Sequence, residues 1–286
     1  MNTCLFCTRD GPFTRPEHVI PEALGNDDLL LWNEVCDNCN QFFGSKLESF
    51  VLGKTPLAFW RTYLGIRKKK GKLPHVELSQ PRRQKGRLPA VHNLHDNLIG
   101  FTCHDDYSVS VDIGDDRVVR QLMSGKRDEF TFVFTPLVLS TMGRFFLKVG
   151  LELVCSLDSS RSRSDGFSRA RRFARLGDFE CLWPIFHFQS GNLKNLKKHR
   201  IDSQGIIEEV SCYSYRLLEV ADKYTLSVLT VGTDTWVVCL NDPYPTPVIR
   251  SAFPDEELNL IWYAPEEIQQ REAQQSNPAD AAKPPR

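Results

Sequence analysis

Apolar and polar residues follow two different periods along this chain, and the changes of period mark its elements. Phe43, Leu47, Phe50 and Val51 recur at helical spacing, so residues 40–52 read as an amphipathic helix. Thr55-Pro56 reads as a second helix start, with threonine as N-cap and proline in the first turn, opening a helix over 57–64. Residues 65–94 are basic, carry Gly and Pro, and read as a linker or a DNA-facing hairpin. Between 98 and 122 the runs LIGFTCH, YSVSVDI and RVVRQL are short and β-rich, and Asp-Asp and Gly-Asp-Asp turns separate them. Thr135-Pro136 opens an apolar run to Leu157 that reads as a buried helix. A Ser/Arg/Asp loop over 158–166 follows, then a short helix over 167–176 that Gly177 stops. CLWPIFHF, GIIEEVSCY, YRLLEV, KYTLSVLTV and DTWVVCL then read as a mostly antiparallel sheet with tight turns.

The fold class expected from this order is α+β: a small cysteine-rich module over 1–52, then a larger mixed α/β domain. Helix and basic linker fill 53–94, the second domain spans 95–268, and a tail of Gln, Ala, Pro and charge over 269–286 is expected to be disordered. No stretch approaches the ~18 consecutive apolar residues of a membrane span, and the start Met-Asn-Thr-Cys-Leu-Phe-Cys lacks the features of a signal peptide. The expected setting is cytoplasmic, with no membrane partner.

Net charge is zero, but its distribution is uneven. Arg61 to Arg87 holds ten Lys or Arg and a single acid, Glu77, whereas Ser251 to Arg286 holds seven acids and three bases. The runs Arg67, Lys68, Lys69, Lys70, Lys72 and Arg82, Arg83 are candidate phosphate contacts; the competing reading is a solvated basic linker. Arg169, Arg171, Arg172 and Arg175 divide evenly between phosphate grip and solvated helix face.

Of nine cysteines, four form two Cys-x-x-Cys pairs, Cys4/Cys7 and Cys36/Cys39. Two residues between thiolates let both sulfurs reach one ion from a tight turn, so the four are expected to hold a structural Zn²⁺. The 28 residues between the pairs exceed the gap of a simple zinc ribbon, so something is inserted there. The insert carries Glu17-His18-Val19-Ile20-Pro21, an acid beside a histidine at the edge of an apolar strand, and Asn40 directly follows the second knuckle. Cys103, Cys155, Cys181, Cys212 and Cys239 read as buried small hydrophobes, and His104 beside Asp105-Asp106 as a turn.

Glu17-His18-Val19-Ile20-Pro21-Glu22-Ala23-Leu24-Gly25 between two knuckles, followed by Val35-Cys36-Asp37-Asn38-Cys39-Asn40 and Gly44, resembles the HNH (ββα-metal) endonucleases. The resemblance covers about residues 4–50. It implies that His18 is the general base for water attacking a phosphodiester, and that Glu17 and Asn40 hold a catalytic Mg²⁺ or Mn²⁺. Asn33 would brace the loop that carries the histidine. Glu48, eight residues beyond Asn40 on the same helix, is a weaker candidate ligand. Phe43 stands where many relatives have lysine.

The function implied is a DNA endonuclease, with defence against foreign DNA as the setting. Two alternatives stay open: a zinc-dependent nucleic-acid-binding module without catalysis, and an RNase using the same site. Residues 95–268 carry no motif of their own and are expected to sense, bind target, dimerise or meet a regulatory partner.

Overall fold

A computed structural model describes residues 3–66, 72, 75–79, 98–104, 109–113, 116–126, 136–177, 182–190, 213–243, 246–256 and 259–261. At the N-terminus two short strands, β1 (Glu17–His18) and β2 (Leu30–Leu31), pair antiparallel, with Glu17 opposite Leu31 and His18 opposite Leu30. One helical run follows: α1 (Asp37–Phe42), a π-wound middle (Phe43–Glu48) and α2 (Ser49–Lys54). Phe43, Leu47 and Val51 are buried on its inner face and Phe50 is half-buried. This is the ββα arrangement expected of the cysteine-rich segment.

Thr55 caps α3 (Pro56–Tyr63): its hydroxyl accepts from the Leu57 N–H and donates to the Val51 carbonyl at 2.6 Å. One threonine thereby ends α2 and starts α3. Next comes an antiparallel three-stranded sheet of β3 (His75–Ser79), β4 (Leu98–Cys103) and β5 (Val109–Ile113), in that order. β3 lies inside the segment read as a linker or a DNA-facing hairpin. Its partner β4 begins some twenty residues later, and the Gly/Pro content around it hides the five-residue alternation.

RVVRQL is helical, not extended: it lies within α4 (Asp116–Met123). The Val118-Val119 pair suggests a strand, but Val118, Val119, Leu122 and Met123 fall at helical spacing and Asp116 supplies an acid in the first turn.

The long helix α5 (Pro136–Leu157) organises the rest. Asp158 then caps α6 (Ser159–Ser162) by accepting from the Arg161 N–H, a short element in what reads as loop. α7 (Ser168–Leu176) stops at Gly177, which has φ 75°. The second sheet comprises β6 (Ile185–Gln189), β7 (Tyr213–Val220), β8 (Tyr224–Val231), β9 (Asp234–Cys239) and, after α8 (Thr246–Ala252), β10 (Asn259–Ile261). Its order is β10-β6-β9-β8-β7, all antiparallel.

β8 and β9 are buried on both faces, and alternate residues serve different layers. Leu226, Val228, Val237 and Cys239 pack with Ile249 and Phe253 of the α8 region. Leu229, Val231, Trp236 and Val238 face α5 and its Phe145 and Phe146. At Gly150 the helix lies so close to the sheet that a Cβ would stand 2.7 Å from Ser227 Cβ.

The same core continues through α5 into the knuckle segment, taking in Cys4, Leu5, Ile20, Phe43 and Leu47. The division at residue 52 is therefore one of motif, while the packing is shared. Among the described residues no helix is long and apolar enough to cross a membrane.

Candidate active site

Cys4, Cys7, Cys36 and Cys39 meet with their sulfurs all within 4.8 Å of one another. Tetrahedral zinc with Zn–S of about 2.3 Å sets sulfurs about 3.8 Å apart, and Cys7 Sγ to Cys36 Sγ is 3.6 Å. The cluster fits zinc. A hydrogen bond from Cys39 holds Cys4 down to about 4, burial pushes Cys36 up to about 11, and the bond to Cys4 raises Cys39. A zinc ion bound here would displace the protons these sulfurs hold, and all four would become thiolate ligands.

The knuckles hold β1 and β2 against α1. Asp37, in the first turn of α1, accepts from the Thr14 N–H at 2.9 Å and the Thr14 hydroxyl at 2.7 Å, which depresses its carboxyl. Asn40 Nδ2 donates to the Pro16 carbonyl at 3.0 Å, tying α1 to the residue just before Glu17. This leaves the Asn40 amide oxygen as an acceptor.

His18 is part-exposed, and its Nδ1 lies 3.2 Å from the Asn26 carbonyl oxygen. A carbonyl only accepts, so Nδ1 carries the proton and Nε2 keeps a lone pair in the neutral ring. Nε2 lies 3.9 Å from Glu22 Oε2, one helical turn on in sequence. Asn26 is itself locked: its Nδ2 donates to the Ile20 and Leu29 carbonyls at 2.7 and 3.1 Å, and its Oδ1 accepts from the Leu29 N–H at 2.9 Å. The bracing amide of the loop is thus Asn26. Asn33 is exposed in a left-handed turn, with φ 61°, just after β2 in the chain. Asn26 had a sequence signal in the Gly25-Asn26-Asp27 turn, but Asn33 shares the insert and only the loop closure separates the two.

Glu17 is buried, and its Oε1 lies 2.6 Å from Lys148 Nζ. Glu17 Oε2 is buried with no hydrogen-bond partner. Burial raises the Glu17 carboxyl, against the pull of Lys148. Glu48 also reaches Lys148, at 2.9 Å. Lys148 and its helix neighbour Glu152 carry no motif, and the 100-residue separation of Lys148 from Glu48 puts the pair beyond any reading of local spacing.

The arginines of α7 split in role. Arg171 donates to the Ser162 and Ser164 carbonyls, and Arg175 lies over the Phe42 ring at 4.0 Å. Arg169 and Arg172 are exposed. Arg144 donates to the Ala174 and Arg175 carbonyls and so caps the end of α7. Lys72 is exposed, while Arg67, Lys68, Lys69, Lys70, Arg82 and Arg83 lie outside the described residues.

The segment built around knuckles, His18 and α1 has a family. Residues 4–54 match the HNH endonucleases. The match covers under a fifth of the chain and takes in the four cysteines, Glu17, His18, Asn40 and Glu48. It supports a nuclease-like function, with a nucleic acid as substrate and a metal-binding segment. Neither the curated proteins nor the solved structures compared with the chain give a match.

Proposed function

We propose that the HNH segment hydrolyses phosphodiester bonds of DNA, with His18 as general base. One observation carries this reading: the Asn26 carbonyl claims His18 Nδ1 and leaves Nε2 as a base on a part-exposed ring. The lone pair is then available to take a proton from an attacking water as that water's oxygen closes on phosphorus. Glu22, beside Nε2, is placed to stabilise the imidazolium that results.

The donor set fits a hard divalent ion. Glu17 Oε2 is buried and unpartnered, and the Asn40 amide oxygen stands on the helix tied to Pro16. Oxygen donors few in number suit Mg²⁺ or Mn²⁺, which keep waters and take phosphate oxygens. When bound, such an ion supplies charge stabilisation at the transition state and the leaving oxygen. Glu48 enters this reading as a partner of Lys148 more than as a ligand. The basic run from Arg61 to Arg87, which begins at the end of α3, supports a polyanionic duplex as substrate.

The test is nicking of supercoiled plasmid by the zinc-loaded protein with Mg²⁺, Mn²⁺ or EDTA, beside His18→Ala. Nicking is expected to need the divalent ion, and His18→Ala is expected to lose it by about 10³-fold. A His18→Ala protein that cuts at the wild-type rate would falsify the assignment. Wild type that binds plasmid and zinc but never cuts would favour a binding module, and cleavage of duplex RNA alone would favour the RNase.

A further inference from the structure

Lys148 is fully buried in the middle of α5, outside the matched segment. A buried ammonium is tolerated only where its charge and all its N–H groups are answered. Here Nζ donates to the His18 backbone oxygen at 2.8 Å and to Glu48 Oε1 at 2.9 Å, and it forms an ion pair with Glu17 Oε1 at 2.6 Å. Glu152 Oε2, one turn along α5, is 3.0 Å away as an ion pair but is without a hydrogen bond. Two of the first three partners are consecutive residues of β1, the acid and the histidine of the site. Glu48 lies on the helical run that carries Asn40.

The consequence is geometric. β1 is only two residues long and pairs with an equally short β2, so its own ladder fixes the strand weakly. The ring of His18 is oriented at Nδ1 by Asn26, and its backbone oxygen accepts from Lys148. The Glu17 carboxylate is turned by the same ammonium, which leaves Oε2 as the unpartnered oxygen.

We propose that Lys148 is a positioning residue of the nuclease site: from α5 it fixes the Glu17 carboxylate and the His18 backbone together, so the site is complete only with α5 docked. The rate arm of its test rests on the nuclease reading above; the spectroscopic arms do not.

The experiment uses the full, zinc-loaded chain and Lys148→Met. In plasmid nicking, kcat is expected to fall about 100-fold, as misplacement of a reacting group does, while KM for plasmid stays within about threefold because no substrate contact is lost. In a long-range proton–nitrogen correlation of the His18 imidazole, wild type is expected to show the Nδ1–H tautomer and Lys148→Met a mixture of both. A folded, zinc-loaded Lys148→Met with wild-type rate and an unchanged tautomer overturns the proposal. Should wild type nick nothing, the nuclease reading falls and the tautomer comparison still decides the role of Lys148. Should Lys148→Met fail to load zinc, wild type alone decides. A through-hydrogen-bond coupling between Lys148 Nζ and the His18 carbonyl carbon is expected, and its absence overturns the proposal.

Discussion

At the scale of single residues, two asparagines separate what an amide does from where it stands in a motif. Asn26 is buried and closes the loop between β1 and β2 through three hydrogen bonds, and its carbonyl sets the His18 tautomer. Removing its side chain strands the Ile20 carbonyl and the Leu29 N–H, while the Leu29 carbonyl keeps the Val19 N–H at 3.1 Å. Asn26→Ala is therefore expected to cost about 3 kcal/mol and to reduce nicking with it. Asn33 is exposed at φ 61°, where glycine is at least as comfortable. Asn33→Gly is expected to lie within about 0.5 kcal/mol of wild type, with nicking retained. Denaturant melts of the two variants check both, and the reverse order of effects would return the bracing role to Asn33. Glu17-His18 and the two knuckles were legible in the sequence because each is a contiguous string with its own chemistry. The brace was not, because it depends on which asparagine the closed loop turns inward.

At the scale of elements, caps made boundaries readable and distant pairing did not. Thr55-Pro56 and Gly177 act locally, through one hydroxyl and one positive φ, and the helices begin and end where those residues place them. β3 exists because β4 pairs with it, and nothing adjacent announces the partner. The turn between β8 and β9 combines both kinds of constraint. Gly232 has φ 63°, and a Cβ there would stand 2.2 Å from the Trp60 ring. Trp60 comes from α3, and its Nε1 donates at 2.6 Å to Asp234, which also pairs with His187 at 3.1 Å. The hairpin and α3 thus lock through one ring pressed on a bare backbone. Gly232→Ala must move a large, hydrogen-bonded side chain and adopt an unfavoured conformation as well. It is expected to destabilise by about 3 kcal/mol, and tryptophan emission should shift because Trp60 loses its Asp234 partner. A variant as stable as wild type would mean that the ring gives way freely.

At the scale of the whole molecule, the HNH segment and the larger α+β body are joined by apolar packing, by Arg163 and Ser159 on Glu34, and by a buried charge cluster. The packing was foreseeable in kind from the apolar run of α5. The cluster was not, because Lys148, Glu17, Glu48 and Glu152 are ordinary charged residues until the fold brings them together. Three carboxylates face one ammonium, which leaves the cluster short of positive charge. Burial opposes the charge on Lys148, but Glu152, Glu17 and Glu48 together raise it well above its ordinary value, so it stays protonated throughout the neutral range. Burial raises Glu152 well above the usual carboxylate range, and neither of its oxygens has a hydrogen-bond partner. A carboxyl whose folded pKa is raised contributes stability that is complete below its unfolded pKa. That contribution is lost as pH climbs toward the folded value. Replacing the carboxyl by an amide, in Glu152→Gln, keeps the side chain's shape and removes its ionisation. The melting temperature of Glu152→Gln minus that of wild type is therefore expected to grow as pH rises from about 5 to about 8. Proton competition at the cysteines acts in both proteins and cancels in the difference, while Glu17, coupled to Glu152, is relieved in the variant and adds to the same sign. If Lys148 instead held Glu152 ionised with a depressed pKa, the difference would shrink over the same range. The sign of that slope thus measures how the buried cluster between the two parts of the chain shares its charge.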